Sequence, residues 1–248
     1  MVKIGLCGFT ISMEHYPLYF PVVEVQQTFY DPPGDRTLQG WLAATPRGFE
    51  FTIKAWQLIT HEGNSPTYRR LRRPLDAADR ATCGGFRDSP VVRSALSRTL
   101  ACAGVLGATA ILFQCPASFR PEPASVARLR TFFARIANPE RPAGVRYLWE
   151  PRGPAWTKSA SLAGDLCHEL DLVHVVDPFV DEPRASPGGA YFRLHGITGA
   201  RHVYSDDELR RLVEMTPPVA HVMFNNMPRV GDAKRFAKHL AAAATQMV

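Results

Sequence analysis

Glu24, Lys54, Glu150, Asp177 and His195 are the residues of this chain whose types can take, give or stabilise a proton, and each closes or follows a short apolar run. Gln26, Gln114, Arg152, Arg193, Asn225 and Asn226 occupy similar places. The spacing is informative. Side chains alternate along a strand, so Glu24 with Gln26, Glu150 with Arg152, and Arg193 with His195 each share a face. Acids, bases, an imidazole and amides gathered from different strands make a polar site. Lys54, Arg152 and Arg193 would hold an anion, with Gln114 beside them. Glu150 or Glu24 would be the general base and His195 the proton donor. Asp177 would orient His195 or serve as a second acid, and Gln26, Asn225 and Asn226 would orient hydroxyl or carbonyl groups.

These residues need elements to hold them. Apolar, β-branched runs recur at Val2–Cys7, Val22–Val25, Phe49–Ile53, Ala108–Phe113, Val145–Trp149, Leu172–Val176, Tyr191–Leu194 and Val219–Phe224. Between them lie helical stretches near Val91–Leu106, Ala124–Ile136, Trp156–Leu170, Leu209–Met215 and Asp232–Met247. Ser89-Pro90 and the capping box Ser205-Asp-Asp-Glu208 give two of them start signals. Strands separated by helices pair in parallel, and eight such units in 248 residues predict one (β/α)8, TIM-like barrel over 1–248. An open doubly wound sheet is the rival. Gly8–Pro21 is too short for a crossover helix, and Pro178–Gly189 is rich in proline and glycine. The barrel is therefore expected to be irregular at its first and sixth crossovers.

Because parallel barrels carry ligands at the carboxyl ends of their strands, Glu24, Lys54, Glu150, Arg152, Asp177, Arg193, His195 and Asn225 are expected in one pocket. Cys7 and Gly8 would line its floor or wall, the thiol as a packed group. After the third strand, Arg69, Arg70, Arg72 and Arg73 make a basic run, joined by Arg36 and by Arg201 with His202 after other strands. The run is expected as a rim or lid.

Several classes are excluded. No P-loop, dinucleotide-binding, nucleophile-elbow or H-E-x-x-H pattern occurs. The five cysteines are odd in number and lack paired spacing, which argues against a disulfide framework or structural zinc. No apolar run approaches a membrane span and no signal peptide is readable, so the expected location is the cytoplasm. A net charge of +6 favours anionic partners in a general way. No cofactor is predicted. A divalent metal stays open through Glu24, Glu150, Asp177 and His195, against the repulsion of Lys54, Arg152 and Arg193.

Six ordered segments carry a resemblance: Gly5–Phe9, Val23–Tyr30, Phe51–His61, Glu150–Trp156, Tyr191–Gly196 and Phe224–Asn226. Together they resemble the YecE-like family, domain of unknown function 72, over essentially the whole chain. The resemblance implies a barrel of the (β/α)8 type and no established reaction. Cys7 and Phe9 stand where many members have Ser and Trp, and Gln26 where they have Asn. These departures, with Lys54–Gln57 and Ser65–Arg70, resemble a compact subgroup found largely in archaea.

Three functional readings compete. The first is an enzyme using acid/base chemistry on a phosphorylated or otherwise anionic small molecule. The second is a nucleic-acid binding or processing protein, for instance a metal-dependent phosphodiester hydrolase, whose basic loops hold phosphates beside Trp56, Tyr68 and Tyr204. The third makes the polar strand ends a stabilising ion-pair network, in which replacing Arg193 and Glu150 together by Met preserves stability. Oligomeric state is not readable.

Overall fold

A computed structural model describes residues 1–183 and 188–246. Eight parallel strands close a barrel in chain order: β1 (Val2–Cys7), β2 (Val22–Val25), β3 (Glu50–Lys54), β4 (Ala110–Gln114), β5 (Arg146–Glu150), β6 (Val173–Val176), β7 (Ala190–Leu194) and β8 (Ala220–Phe224), which pairs back onto β1. The eight expected strands are all present, the first two with unchanged ends and the others with ends moved by at most two residues. Closure excludes the open sheet.

Period-two alternation divides each strand between two environments. Ile4, Leu6, Val23, Phe51, Ile53, Ile111, Phe113, Tyr147, Trp149, Phe192, Leu194, Val222 and Phe224 join the larger apolar core, together with residues of the surrounding helices. The opposite face, with Cys7, Val22, Ala110, Leu112, Leu148, Val173, Val175, Tyr191 and Met223, fills the barrel interior. The residues that continue this inner face toward the carboxyl ends are Glu24, Lys54, Gln114, Glu150, Asp177, Arg193 and His195. Strand periodicity alone therefore aims them inward.

Helices Asp35–Ala43, Pro90–Leu106, Pro123–Thr131, Ala160–Glu169, Asp206–Met215 and Arg229–Gln246 surround the barrel. Ser89 Oγ accepts from the Val92 N–H, and both halves of the Ser205/Glu208 capping box form. Two helices differ from expectation. The stretch Trp156–Leu170 is two pieces, Pro154–Thr157 and Ala160–Glu169, because Ser159 leaves helical geometry at φ −114°, ψ 34°. The stretch Ala124–Ile136 is α-helical only to Thr131 and continues as a π-helical turn, Phe132–Ala137. The first crossover holds one 3-10 turn, Tyr16–Leu18. Of the sixth, residues 184–187 lie outside the described residues, as does Met247 of the expected last helix.

Gly5 sets the closest approach in the barrel wall. A Cβ there would stand 2.3 Å from the Val22 carbonyl oxygen and 2.8 Å from Met223 Cε. Gly40, within helix Asp35–Ala43, has nothing within 4 Å of its Cβ direction. Gly5→Ala is therefore expected to lower unfolding free energy by about 3 kcal/mol through overpacking. Gly40→Ala should raise it by about 0.5–1 kcal/mol. Urea unfolding of the two variants checks the opposite signs.

Candidate functional site

The site is built on one guanidinium. Arg193, on β7, is 1% exposed. Its Nε and Nη2 donate to Glu24 Oε1 on β2 at 3.1 and 2.8 Å, and Nη1 donates to Glu150 Oε2 on β5. Gln114 Oε1 on β4 at 3.4 Å and the Cys7 sulfur on β1 at 3.7 Å complete its surroundings. Burial disfavours this charge, but Glu150 and Glu24 reverse the effect and hold Arg193 well above the ordinary arginine value. Glu24 is fully buried and already satisfied. Gln26 Nε2 and Arg193 occupy Oε1, and the Tyr191 hydroxyl donates to Oε2 at 2.9 Å.

Glu24 and Arg193 thus form the floor beneath a ligand space rather than its lining. The expectation that Arg193 holds a ligand anion, or that Glu24 acts as base, is corrected: neither has a free face. Gln26 Nε2 is engaged by Glu24 and Gln114 Oε1 by Arg193, and neither amide lines the cavity above the floor. Cys7 is packed at 1% exposure. Burial first, then the neighbouring Glu24, raises its thiol well above the usual value, so the sulfur stays protonated.

Above the floor lies a cavity of about 740 Å³ over the ends of β5 to β8. Glu150, Arg152, Asp177, His195 and Asn225 line it, with Lys158 and Asp181, which the sequence did not single out. His195 Nε2 meets Glu150 Oε1 at 3.0 Å, and Asn225 Nδ2 lies 3.2 Å from Nδ1. With Asn225 donating to Nδ1, the proton sits on Nε2 and is given to Glu150. Burial opposes ionisation of Glu150, but Arg193 first and then His195 hold its carboxyl far below the usual range. Asp177 binds the main chain: Oδ2 accepts the His195 N–H at 2.9 Å and Oδ1 the Phe179 N–H at 3.1 Å. It fixes the backbone that carries the imidazole, not the ring. Burial raises the Asp177 carboxyl despite these donors. Gly196 lets the chain turn after His195, with φ +90° and a Cβ direction 2.3 Å from the Gly199 carbonyl.

Arg152 and Lys54 are the cations with spare capacity. The Arg152 side chain is 39% exposed, and its nearest partner, Glu150 Oε1, is 3.8 Å away and already engaged by His195. Among the described residues it makes no hydrogen bond. Lys54, expected in the same pocket, lies deeper and does not line the cavity, being 6% exposed with Nζ 3.6 Å from the Phe29 ring centroid. Burial, followed by the charge of Arg193, lowers its amine to about 7 against the opposing pull of Glu150 and Glu24. Roughly half of it is uncharged near neutral pH, which weakens the expected role as an anion clamp.

Other expectations fall elsewhere. Asn226 is buried outside the cavity, donating to the His202 carbonyl and to Asp232 Oδ2. Arg69, Arg70, Arg72 and Arg73 are exposed but do not rim the cavity. Arg72 pairs with Asp31 at 3.0 Å, Arg70 lies over the Tyr30 ring, and Arg69 lines a separate cleft of about 390 Å³. Tyr68 and Tyr204 are buried, their hydroxyls engaged by the His61 carbonyl and the Gly196 N–H, so neither offers a stacking face. Among the described residues no three of His, Cys, Asp and Glu are grouped to hold a metal ion, and no helix is long and apolar enough to cross a membrane. Tyr191 was missed. Its place two residues before Arg193 was the available signal.

A closed eight-stranded barrel with a charged cavity at the carboxyl ends of its strands makes this a TIM-like α/β protein. The family model "Protein of unknown function DUF72" matches residues 10–247, and the chain belongs to that family. A DUF72 family protein from Enterococcus faecalis V583 superposes with a TM-score of 0.71 at 22% identity, covering 99% of this chain and 98% of that one. One from Thermotoga maritima MSB8 gives 0.69 at 21% identity, covering 97% and 99%. A D-psicose 3-epimerase determined in the presence of D-fructose shares the fold at 0.56 and 16% identity, covering 98% and 97%. No curated protein matches the chain in sequence.

Two outcomes follow from the charges. Arg193→Met removes the cation that the buried Glu24 and Glu150 share, leaving Glu150 only Arg152 at 3.8 Å, and should cost about 3–5 kcal/mol. Replacing Arg193 and Glu150 together still strands Glu24, so the double variant should recover only part of that loss. Denaturant unfolding measures both.

For Lys54, a folded value near 7 below the ordinary 10.5 means that stability is greatest above 10.5 and is lost as pH falls through about 7. Lys54→Met should therefore be more stable than the parent at pH 6, by a few kcal/mol on the order of the shift. That advantage should shrink toward pH 10. Melting temperatures of both proteins across that range test the sign.

Proposed function

We propose that this chain is an enzyme performing acid/base chemistry on a phosphorylated or otherwise anionic small molecule bound over the ends of β5 to β8. The observation that carries the proposal is the Glu150–His195 pair in the cavity wall, with the ring held at Nε2 by Glu150 and at Nδ1 by Asn225. A ring gripped at both nitrogens beside a ligand space is pre-oriented to pass a proton. Arg152, with five N–H donors and no hydrogen bond among the described residues, is the group that would bind the anion, and Lys158 adds positive charge at the same wall. Asp177, held toward its protonated form by burial, is the second acid.

A second reading takes the exposed Arg69, Arg70, Arg72 and Arg73 as a phosphate-binding surface for nucleic acid. Their exposure and clustering favour it, although Asp31 neutralises part of the run. The test separates the two. Thermal-shift and calorimetric titration with a panel of sugar phosphates and 2-oxo acids should find ligands whose affinity falls about tenfold or more in Arg152→Ala. Affinity should persist in Glu150→Gln and His195→Ala, which would lose turnover instead. If no anion stabilises the protein while oligonucleotides bind with a steep salt dependence that is lost in Arg69→Ala/Arg70→Ala, the nucleic-acid reading replaces the first.

A further inference from the structure

We infer that Lys54 is an imine-forming nucleophile and that the ligand of this site is therefore a carbonyl compound. The inference starts from an imbalance in the floor. Every other charged group there is fully engaged: Glu24 by Gln26, Arg193 and Tyr191, Arg193 by Glu24, Glu150 and Gln114, and Glu150 by Arg193 and His195. Lys54 Nζ has no hydrogen bond or ion pair among the described residues and rests on the Phe29 ring. A structural plug would join this cation to Glu24 or Glu150. Here the carboxylates are given to arginine, and the Lys54 nitrogen is left against the Phe29 ring with no acceptor among the described residues.

The chemistry follows from that isolation. An ammonium is no nucleophile, whereas an amine held in apolar surroundings beside another cation is. Lys54 meets both conditions, with Phe29 against it and Arg193 as the neighbouring charge, and its lowered value near 7 agrees. A neutral amine adds to a carbonyl carbon, forming a C–N bond. The carbinolamine then breaks its C–O bond, and the oxygen leaves as water with both amine protons, so the step needs no oxidant or reductant. Glu150, whose charge acts on the Lys54 amine and which meets His195 Nε2 at the cavity wall, links the amine to a ring that can carry those protons.

This inference rests on the proposed acid/base enzyme only for the anion held by Arg152, and the experiment keeps the two apart. The full-length protein is treated at pH 7 with sodium cyanoborohydride and either glyoxylate, an anionic aldehyde, or glycolaldehyde, a neutral one. Adducts on Lys3, Lys54, Lys158, Lys234 and Lys238 are mapped by peptide mass spectrometry. Lys54 is expected to be labelled by glyoxylate at least about tenfold ahead of the other four. The labelling rate should rise with pH through about 7. If Lys54 stays unlabelled in the folded protein but labels in urea, or lags behind the exposed lysines, it is a buried cation only and the inference falls. If Lys54 leads equally with both aldehydes and is indifferent to Arg152→Ala, the imine chemistry stands and the anion-binding reading falls.

Discussion

A guanidinium cannot sit inside a barrel unless acceptors surround it, and that requirement organises this protein. Arg193 on β7 is bound by carboxylates from β2 and β5 and an amide from β4, with the β1 thiol nearby. Removing such a charge from water costs several kcal/mol before pairing. The return comes only when strands distant in sequence have met in the correct register. A slip of one residue in any strand would turn its contribution outward. The ion group therefore selects register as well as occupying the space where a barrel would otherwise place valine or leucine.

The lower end of the barrel shows what a purely structural polar cluster looks like here. Glu50 near the start of β3 accepts from Lys3, His221 and Thr109, and although burial would raise its carboxyl, those bonds hold it down to about 2. No cavity opens beside it among those described. Tyr191 joins this end to the other: its ring stacks on His221 at 5.4 Å, while its hydroxyl meets Thr52 and Glu24. The upper end differs in having an amine and a guanidinium that make no hydrogen bond among the described residues, and a cavity. That contrast, more than the presence of charge, sets the carboxyl face apart from a purely structural cluster.

The barrel was legible because its two signals are local. Apolar runs give strands, and capped amphipathic stretches give helices, so β1 and β2 were placed to the residue and the two caps formed as read. Which residues face inward was also legible, since period two puts Glu24, Lys54, Glu150, Arg193 and His195 on one face. What alternation does not encode is depth. Arg193 and His195 share a face, yet two residues along a tilted strand separate a saturated floor from an open wall. Asn225 and Asn226 show the other gap: adjacent residues leave the strand on opposite sides, one to His195 and one to Asp232.

Position around the rim was illegible for a related reason. Chain order fixes that β3 lies near β2 and β4, but it does not say where the loops leave room. Tyr68, just before the Arg69–Arg73 segment, and Leu71 within it are drawn toward the core, and Arg70 and Arg72 reach Tyr30 and Asp31 after β2. The loop thus covers its own side of the barrel. The space left open lies across the axis, where Gly153, Gly196 and Gly199 of the β5 and β7 loops line the cavity. Small residues after β5 and β7, rather than charged ones after β3, border the open space. His195, whose side chain is 22% exposed, stands at that wall, and Glu150 behind it stays buried at 6%.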